Sequence, residues 1–292
     1  MTDLDRLKAA NKVSTISIIV NVALAAIKLF AGIFAKSSAM IADGVHTLSD
    51  VTSTIAVMVG MYFSSKPDDE GHPYGHEKIE SVVAKMLALM LAVTAIGIGY
   101  SGIKTIIEGE FTRPGTLALV AALISIASKE WMYHFTVRTA NKIDSPALKA
   151  DAWHHRSDAL SSVGTFIGIG GAIMGLEILD PLASLVVCGL IIKVAVEIYI
   201  AAFNQVIDRS ADKETLEKIE DTINSVSGVK HIDDVKTRMH GSKIYVDVEI
   251  AVDGSLTVYD GHKIAEEVHH KIEDTLPEAK HCMVHVNPYK EK

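Results

Sequence analysis

Met40-Ile-Ala-Asp43-Gly-Val-His46-Thr-Leu-Ser-Asp50-Val-Thr-Ser-Thr-Ile-Ala-Val-Met-Val-Gly-Met-Tyr62 is long and apolar enough to cross a bilayer, yet it carries three ionisable side chains. An ionisable group in hydrocarbon costs roughly 3 kcal/mol on insertion scales, so such residues face a polar cavity and serve a function. His46 and Asp50 are four apart, which stacks them on one face of a helix. The same spacing recurs a hundred residues on, in His154-His155-Arg156-Ser157-Asp158. A lone histidine in such a helix is most often a packing residue; it is the repeat that points to a shared site. Two helices each presenting a His/Asp pair supply four N and O ligands, enough for a tetrahedral divalent ion. Imidazole plus carboxylate without thiolate suits Zn²⁺, Fe²⁺, Co²⁺ or Ni²⁺ and disfavours Cu(I), Mg²⁺ and Ca²⁺. His154 is the expected ligand because it alone stands i, i+4 to Asp158, with His155 as the alternative. Asp43 shares much of the face of His46 and Asp50, and is either a hydrogen-bonding support for a ligand or a proton carrier.

Working outward, apolar runs fall at about 13–35, 39–63, 80–107, 115–137, 152–175 and 179–206, each near the ~20 residues a spanning helix needs. The expected architecture is a membrane all-α six-helix bundle over 1–208. Basic residues set its orientation: Arg6, Lys8, Lys12, Lys66, Lys78, Arg138, Lys142 and Lys149 lie on one side, and Lys36, Lys104 and Arg113 on the other. Both termini are therefore expected in the cytoplasm. The first dozen residues are polar and the first apolar run is too long for the h-region of a signal peptide. Two cysteines, Cys188 in an apolar run and Cys282 in the polar tail, give no disulfide framework.

The chain's mean hydropathy of +0.26 averages two unlike parts. From Asp208 onward there are 12 Lys+Arg against 18 Asp+Glu. That acidic balance excludes a basic nucleic-acid footprint. The tail, 209–292, reads as a small cytoplasmic α+β domain. Asp212–Val226 is helical; Lys230–Met239 is a strand closed by a His240-Gly241-Ser242 turn. Lys243–Val252 alternates Ile244, Val246, Val248 and Ile250 with polar residues, the period of a half-buried strand. Thr257–Leu276 is helical, and His281–Val286 is a last strand. The order α-β-β-α-β implies a sheet with its helices on one face.

Two further clusters carry metal-binding side chains. In Pro67-Asp-Asp69-Glu-Gly-His72-Pro-Tyr-Gly-His76, two imidazoles and a carboxylate flank a Pro/Gly turn; the competing reading is a solvated polar turn. The tail holds His231, His240, His262, His269, His270, His281 and His285 among many acids, more histidine than a solvated acidic face explains. Regulatory metal binding is the expectation there.

Taken together, these stretches resemble the cation diffusion facilitators, proton-coupled exporters of divalent metals. The resemblance runs through Ser37-Ser-Ala-Met-Ile-Ala-Asp-Gly-Val-His46-Thr-Leu-Ser-Asp50, Gly71-His-Pro-Tyr-Gly-His76-Glu-Lys78, Trp153-His-His-Arg-Ser-Asp158 and the α-β-β-α-β tail. It implies that His46, Asp50, His154 and Asp158 form the transport site, and that Asp69, His72 and His76 form a loop site. It also implies a metallochaperone-like tail at a homodimer interface, and an ionic lock of Lys78 with Asp208 between protomers at the membrane surface. For the tail it implies a site at Asp233, Asp247, His262 and His285. Asp233 and Asp247 stand where zinc-loaded members carry His, and Asn287 replaces an acid. The expected activity is exchange of Zn²⁺ for H⁺ by alternating access, with Fe²⁺, Co²⁺, Cd²⁺ or Mn²⁺ as other ions. The expected location is a bacterial inner (cell) membrane. The rival classes are a non-transporting membrane sensor or scaffold and a membrane metalloenzyme. The sequence lacks the His-Glu-x-x-His of one metalloenzyme type.

Overall fold

The computed structural model describes residues 3–34, 38–109, 116–174, 176 and 178–289. The chain divides into two compact units, Met1–Phe203 and Asn204–Lys292. The division falls within the last turn of a helix, a little before the 208/209 boundary expected from composition.

Among the described residues the first unit is built from six long helices. They are α1 (Asp3–Phe34), α2 (Ser38–Ser64), α3 (Lys78–Glu108), α4 (Thr116–Lys142), α5 (Pro146–Ile173) and α6 (Leu179–Val206). Each has 27 to 32 residues, more than the ~20 that cross a hydrocarbon core. Among the described residues, three stretches are by length and composition apolar enough to span: Leu4–Phe30, Lys78–Glu108 and Pro181–Val206. The expectation of six spans therefore stands at three on composition; α2 and α5, outside those three, carry His46, Asp50, His154 and Asp158. The outward faces hold large apolar side chains, among them Phe30, Val93, Ile96, Ile107 and Val186, all exposed. Such a surface suits hydrocarbon rather than water.

Helix α1 packs on α2, and α4 on α5. At Gly99 a Cβ would lie 2.6 Å from the Cys188 sulfur, so a larger residue there would force that side chain to shift where α3 meets α6. One end of the bundle is pinned by Arg6. Its Nε donates to the Ile143 carbonyl at 2.9 Å, in the turn between α4 and α5, and its Nη2 reaches Glu80 on α3 at 3.4 Å. Glu80 is itself buried.

The second unit runs α7 (Lys213–Asn224), β1 (His231–His240), β2 (Lys243–Val252), α8 (Val258–Thr275) and β3 (Ala279–Pro288). The expected order is the observed one. Both helices start on side-chain caps: Asp212 accepts from the Thr215 N–H at 2.8 Å and Thr257 from the Asp260 N–H at 3.2 Å, satisfying donors that the helix itself cannot. The β1–β2 hairpin turns at Gly241, whose φ of 59° suits a residue without a side chain. Strand β2 is central, antiparallel to β1 and parallel to β3. Its alternate residues Ile244, Val246, Val248 and Ile250 meet Ile219 and Ile223 of α7 and Val268 and Ile272 of α8 in one core. The period-two pattern in the sequence is thus the face under the helices.

Candidate functional site

The polar residues of the first unit converge. A cavity of about 460 Å³ takes lining from all six helices, through Lys28, Asp50, Thr94, Lys129, Asp158 and Ser184. Within it His46 and Asp50 of α2 and Asp158 of α5 each place a ligand atom within 4.8 Å of the others. The i, i+4 geometry of α2 delivers the first two to one face, and α5 packs against α2 to deliver the third. His154, one turn before Asp158, reaches the same centre from behind: its Nε2 lies 3.3 Å from Oδ1 of Asp50. His155 does not join them. It is fully buried, with its Nε2 3.6 Å from Asp151 Oδ2, and neither of its ring nitrogens has a hydrogen-bond partner. Of the two histidines, His154 is the one beside Asp50, although it is not in the group formed by His46, Asp50 and Asp158. Asp151 is tied to α2 by the Thr54 hydroxyl, which donates to it at 3.2 Å. The side chain of Asp43 lies outside the described residues.

A fifth residue stands at the centre, and the sequence reading passed over it. Lys129 of α4 is 1% exposed, and its Nζ donates to Asp50 Oδ2 at 2.6 Å and to Asp158 Oδ2 at 2.8 Å. These are distances of charge-assisted bonds. The rule that singled out Asp50, an ionisable group in an apolar run, applies with equal force to Lys129. The wall around the charges is rich in hydroxyls, including Thr47, Ser125, Ser157 and Ser161. Lys28 donates to the Thr47 hydroxyl at 3.0 Å.

The loop between α2 and α3 gathers its three expected residues as well. Asp69 Oδ1 accepts from the N–H groups of Gly71 and His72 at 2.9 and 2.8 Å and lies 3.1 Å from His72 Nδ1. The His72 ring and backbone bonds hold the Asp69 carboxyl below the usual carboxylate range. Its second oxygen is 3.4 Å from His76 Nε2. His76 Nδ1 lies 3.1 Å from the Pro67 carbonyl. An N–H there directs the lone pair to Nε2, the usual way a protein orients an imidazole ligand. The polar turn thus holds all three expected residues together.

The profile of the cation efflux transmembrane domain matches residues 14–205, and that of the cation efflux protein cytoplasmic domain matches residues 211–289. The chain belongs to the cation diffusion facilitator family. Among its facilitator relatives is the manganese efflux system protein MneP of Bacillus subtilis, 34% identical over 99% of both chains. The magnetosome protein MamB of a Magnetospira strain is 31% identical over 92% of each. The manganese efflux system protein MneS of Bacillus subtilis is 32% identical over 99% of each. The chain is thus an integral membrane cation-efflux protein with a C-terminal α+β domain.

In that domain, a facilitator's tail, the expected residues do not form one cluster within a single chain among the described residues. Asn287 bridges two of them, donating to Asp233 at 2.9 Å while its Oδ1 lies 3.1 Å from His285 Nε2. Asp247 faces Arg238 across the sheet at 3.6 Å, and His262 pairs with Glu266 at 3.5 Å along α8. The clustered trio is His269, His270 and Glu273. His269 Nδ1 sits 2.6 Å from the Cys282 carbonyl, with Nε2 3.3 Å from Glu273. Sequence spacing offers this trio at i, i+1 and i+4, but the bond that fixes His269 comes from β3. Lys78 opens α3, and Asp208 sits in a turn with a φ of 62°.

Proposed function

We propose that this protein exports a divalent first-row metal ion in exchange for protons, by alternating access of a homodimer whose α1–α6 all cross the membrane. The supporting observation is the meeting of His46, Asp50 and Asp158 within 4.8 Å in a polar cavity walled by six helices, with His154 against Asp50. Metal ligands must be deprotonated to bind, so protons compete for the same groups. An imidazole with an ordinary value near 6.5 titrates in the useful range. A single centre that holds either the ion or protons couples the two flows without a separate proton path.

Two imidazoles and two carboxylates favour Zn²⁺. Mn²⁺ is the second reading, favoured by the hydroxyl-rich wall, since hard oxygen donors suit that ion, and by the names of the relatives MneP and MneS. The loop trio Asp69, His72 and His76 takes a metal at the cytoplasmic surface. The tail senses metal through Asp233, Asp247, His262 and His285 at the dimer interface, and Lys78 with Asp208 locks the protomers. Both termini then lie in the cytoplasm of a bacterial cell membrane. The experiment is uptake of Zn²⁺, Mn²⁺, Fe²⁺ and Cd²⁺ by proteoliposomes under an imposed pH gradient. Uptake above protein-free vesicles is expected, and it is lost in Asp158→Ala and His46→Ala. Unchanged uptake in either variant refutes the site, and no uptake of any ion favours a non-transporting sensor.

A further inference from the structure

The cargo site is already filled by a cation that the chain carries itself. The Lys129 ammonium takes one oxygen from Asp50 on α2 and one from Asp158 on α5, and it does so almost wholly out of solvent. A metal ion binds carboxylate oxygens at about 2.0–2.2 Å and would draw on the same lone pairs. Ammonium and cargo are both positive, so each disfavours the other at this centre. We propose that Lys129 is a tethered counter-cation that occupies the empty cargo site, and that a divalent ion binds only by displacing its ammonium from Asp50 and Asp158. The proposal rests on reading α2 and α5 as the cargo site.

The surroundings permit the displacement. A lysine ends in a compact charge on a flexible four-carbon stem, and the adjoining cavity offers hydroxyls at Ser125, Ser161 and Ser162 to receive it. With either the ammonium or the cargo at the centre, the two carboxylates have a cation between them. Helix α4 contributes no carboxylate or imidazole to the cluster, yet through Lys129 it registers whether the site is full. A lysine that served merely as a structural cross-link between α2 and α5 would have the opposite signature: removing it would let the ligands drift apart and weaken cargo binding.

The sign of the change in affinity therefore decides. Full-length protein in detergent is titrated calorimetrically with Zn²⁺ and, separately, with Mn²⁺. The isotherm of Asp50→Asn/Asp158→Asn is subtracted to remove binding elsewhere in the chain. Lys129→Met is expected to bind at the subtracted site at least tenfold more tightly than the natural chain. Lys129→Gln, similar in length and uncharged, is expected to move the same way, and serves if the Met variant does not fold. Lys129→Arg, whose planar fork grips two carboxylate oxygens at once, is expected to bind at least tenfold more weakly. Equal or weaker binding in the uncharged variants overturns the proposal, as does tighter binding in Lys129→Arg. If Asp50→Asn/Asp158→Asn loses no binding, the cargo-site reading itself fails, whatever the lysine variants do.

Discussion

Removing the charge of Lys129 should destabilise the metal-free protein more than removing the charge of either partner. Without the ammonium, Asp50 and Asp158 present oxygens within 4.8 Å of each other. Two like unit charges at that distance repel by about 3 kcal/mol at an effective dielectric near 20. Two charge-assisted hydrogen bonds are lost as well, so Lys129→Met is expected to cost about 3–5 kcal/mol, the range for breaking a buried ion pair. Asp158→Asn leaves Lys129 paired one to one with Asp50 and should cost about 1.5–3 kcal/mol, the worth of one hydrogen bond to a charged group. The double variant restores the wild-type balance of charge at the centre. It should therefore be more stable than Lys129→Met alone, by about 2–3 kcal/mol if most of the repulsion is relieved. The assay is unfolding in detergent with a chelator present, followed by the fluorescence of Trp131 on α4 and Trp153 on α5. If the two single effects add to within about 0.5 kcal/mol, the pair is uncoupled and the reasoning is refuted.

Three other expectations concern the tail. Ile250→Ala, at a fully buried position of β2, should cost about 2–5 kcal/mol, read as faster amide exchange in β1–β3 with α1–α6 unchanged. Burial, aided by Glu273 and Asp247, pushes the Cys282 thiol up to about 12, so N-ethylmaleimide at pH 8 should leave it unlabelled in the folded protein and modify it after unfolding. The backbone N–H and hydroxyl of Thr215 hold the Asp212 carboxyl below its usual range. A native value lowered in this way adds stability above the unfolded value of about 3.9 and loses it as pH falls through the native one. Asp212→Ala should accordingly lower the tail's melting temperature at pH 6, and the difference from wild type should narrow as the pH falls through the lowered native value.

Features repeated along one element were legible in the sequence. His46 and Asp50 lie on the same face because the helix places them there, and the alternation from Ile244 to Ile250 marks the buried face of β2 because a strand has no other period. Lys129 was missed because its role depends on α4 lying against α5, with α2 on α5's other contacts, which no spacing within α4 reveals. Its position in an apolar run was the available signal. The tail differs for the same reason: the His269 ring is fixed by the Cys282 carbonyl, a neighbour thirteen positions away that β3 delivers through parallel pairing with β2.

Arg6 ties three parts of the bundle together at one end. One guanidinium grips the entry to α3 and the corner joining α4 to α5 from the first turns of α1, so those segments resist parting at that end. Parting α1 from α3 there would leave the buried Glu80 carboxylate without its cation, a cost that favours keeping that end closed.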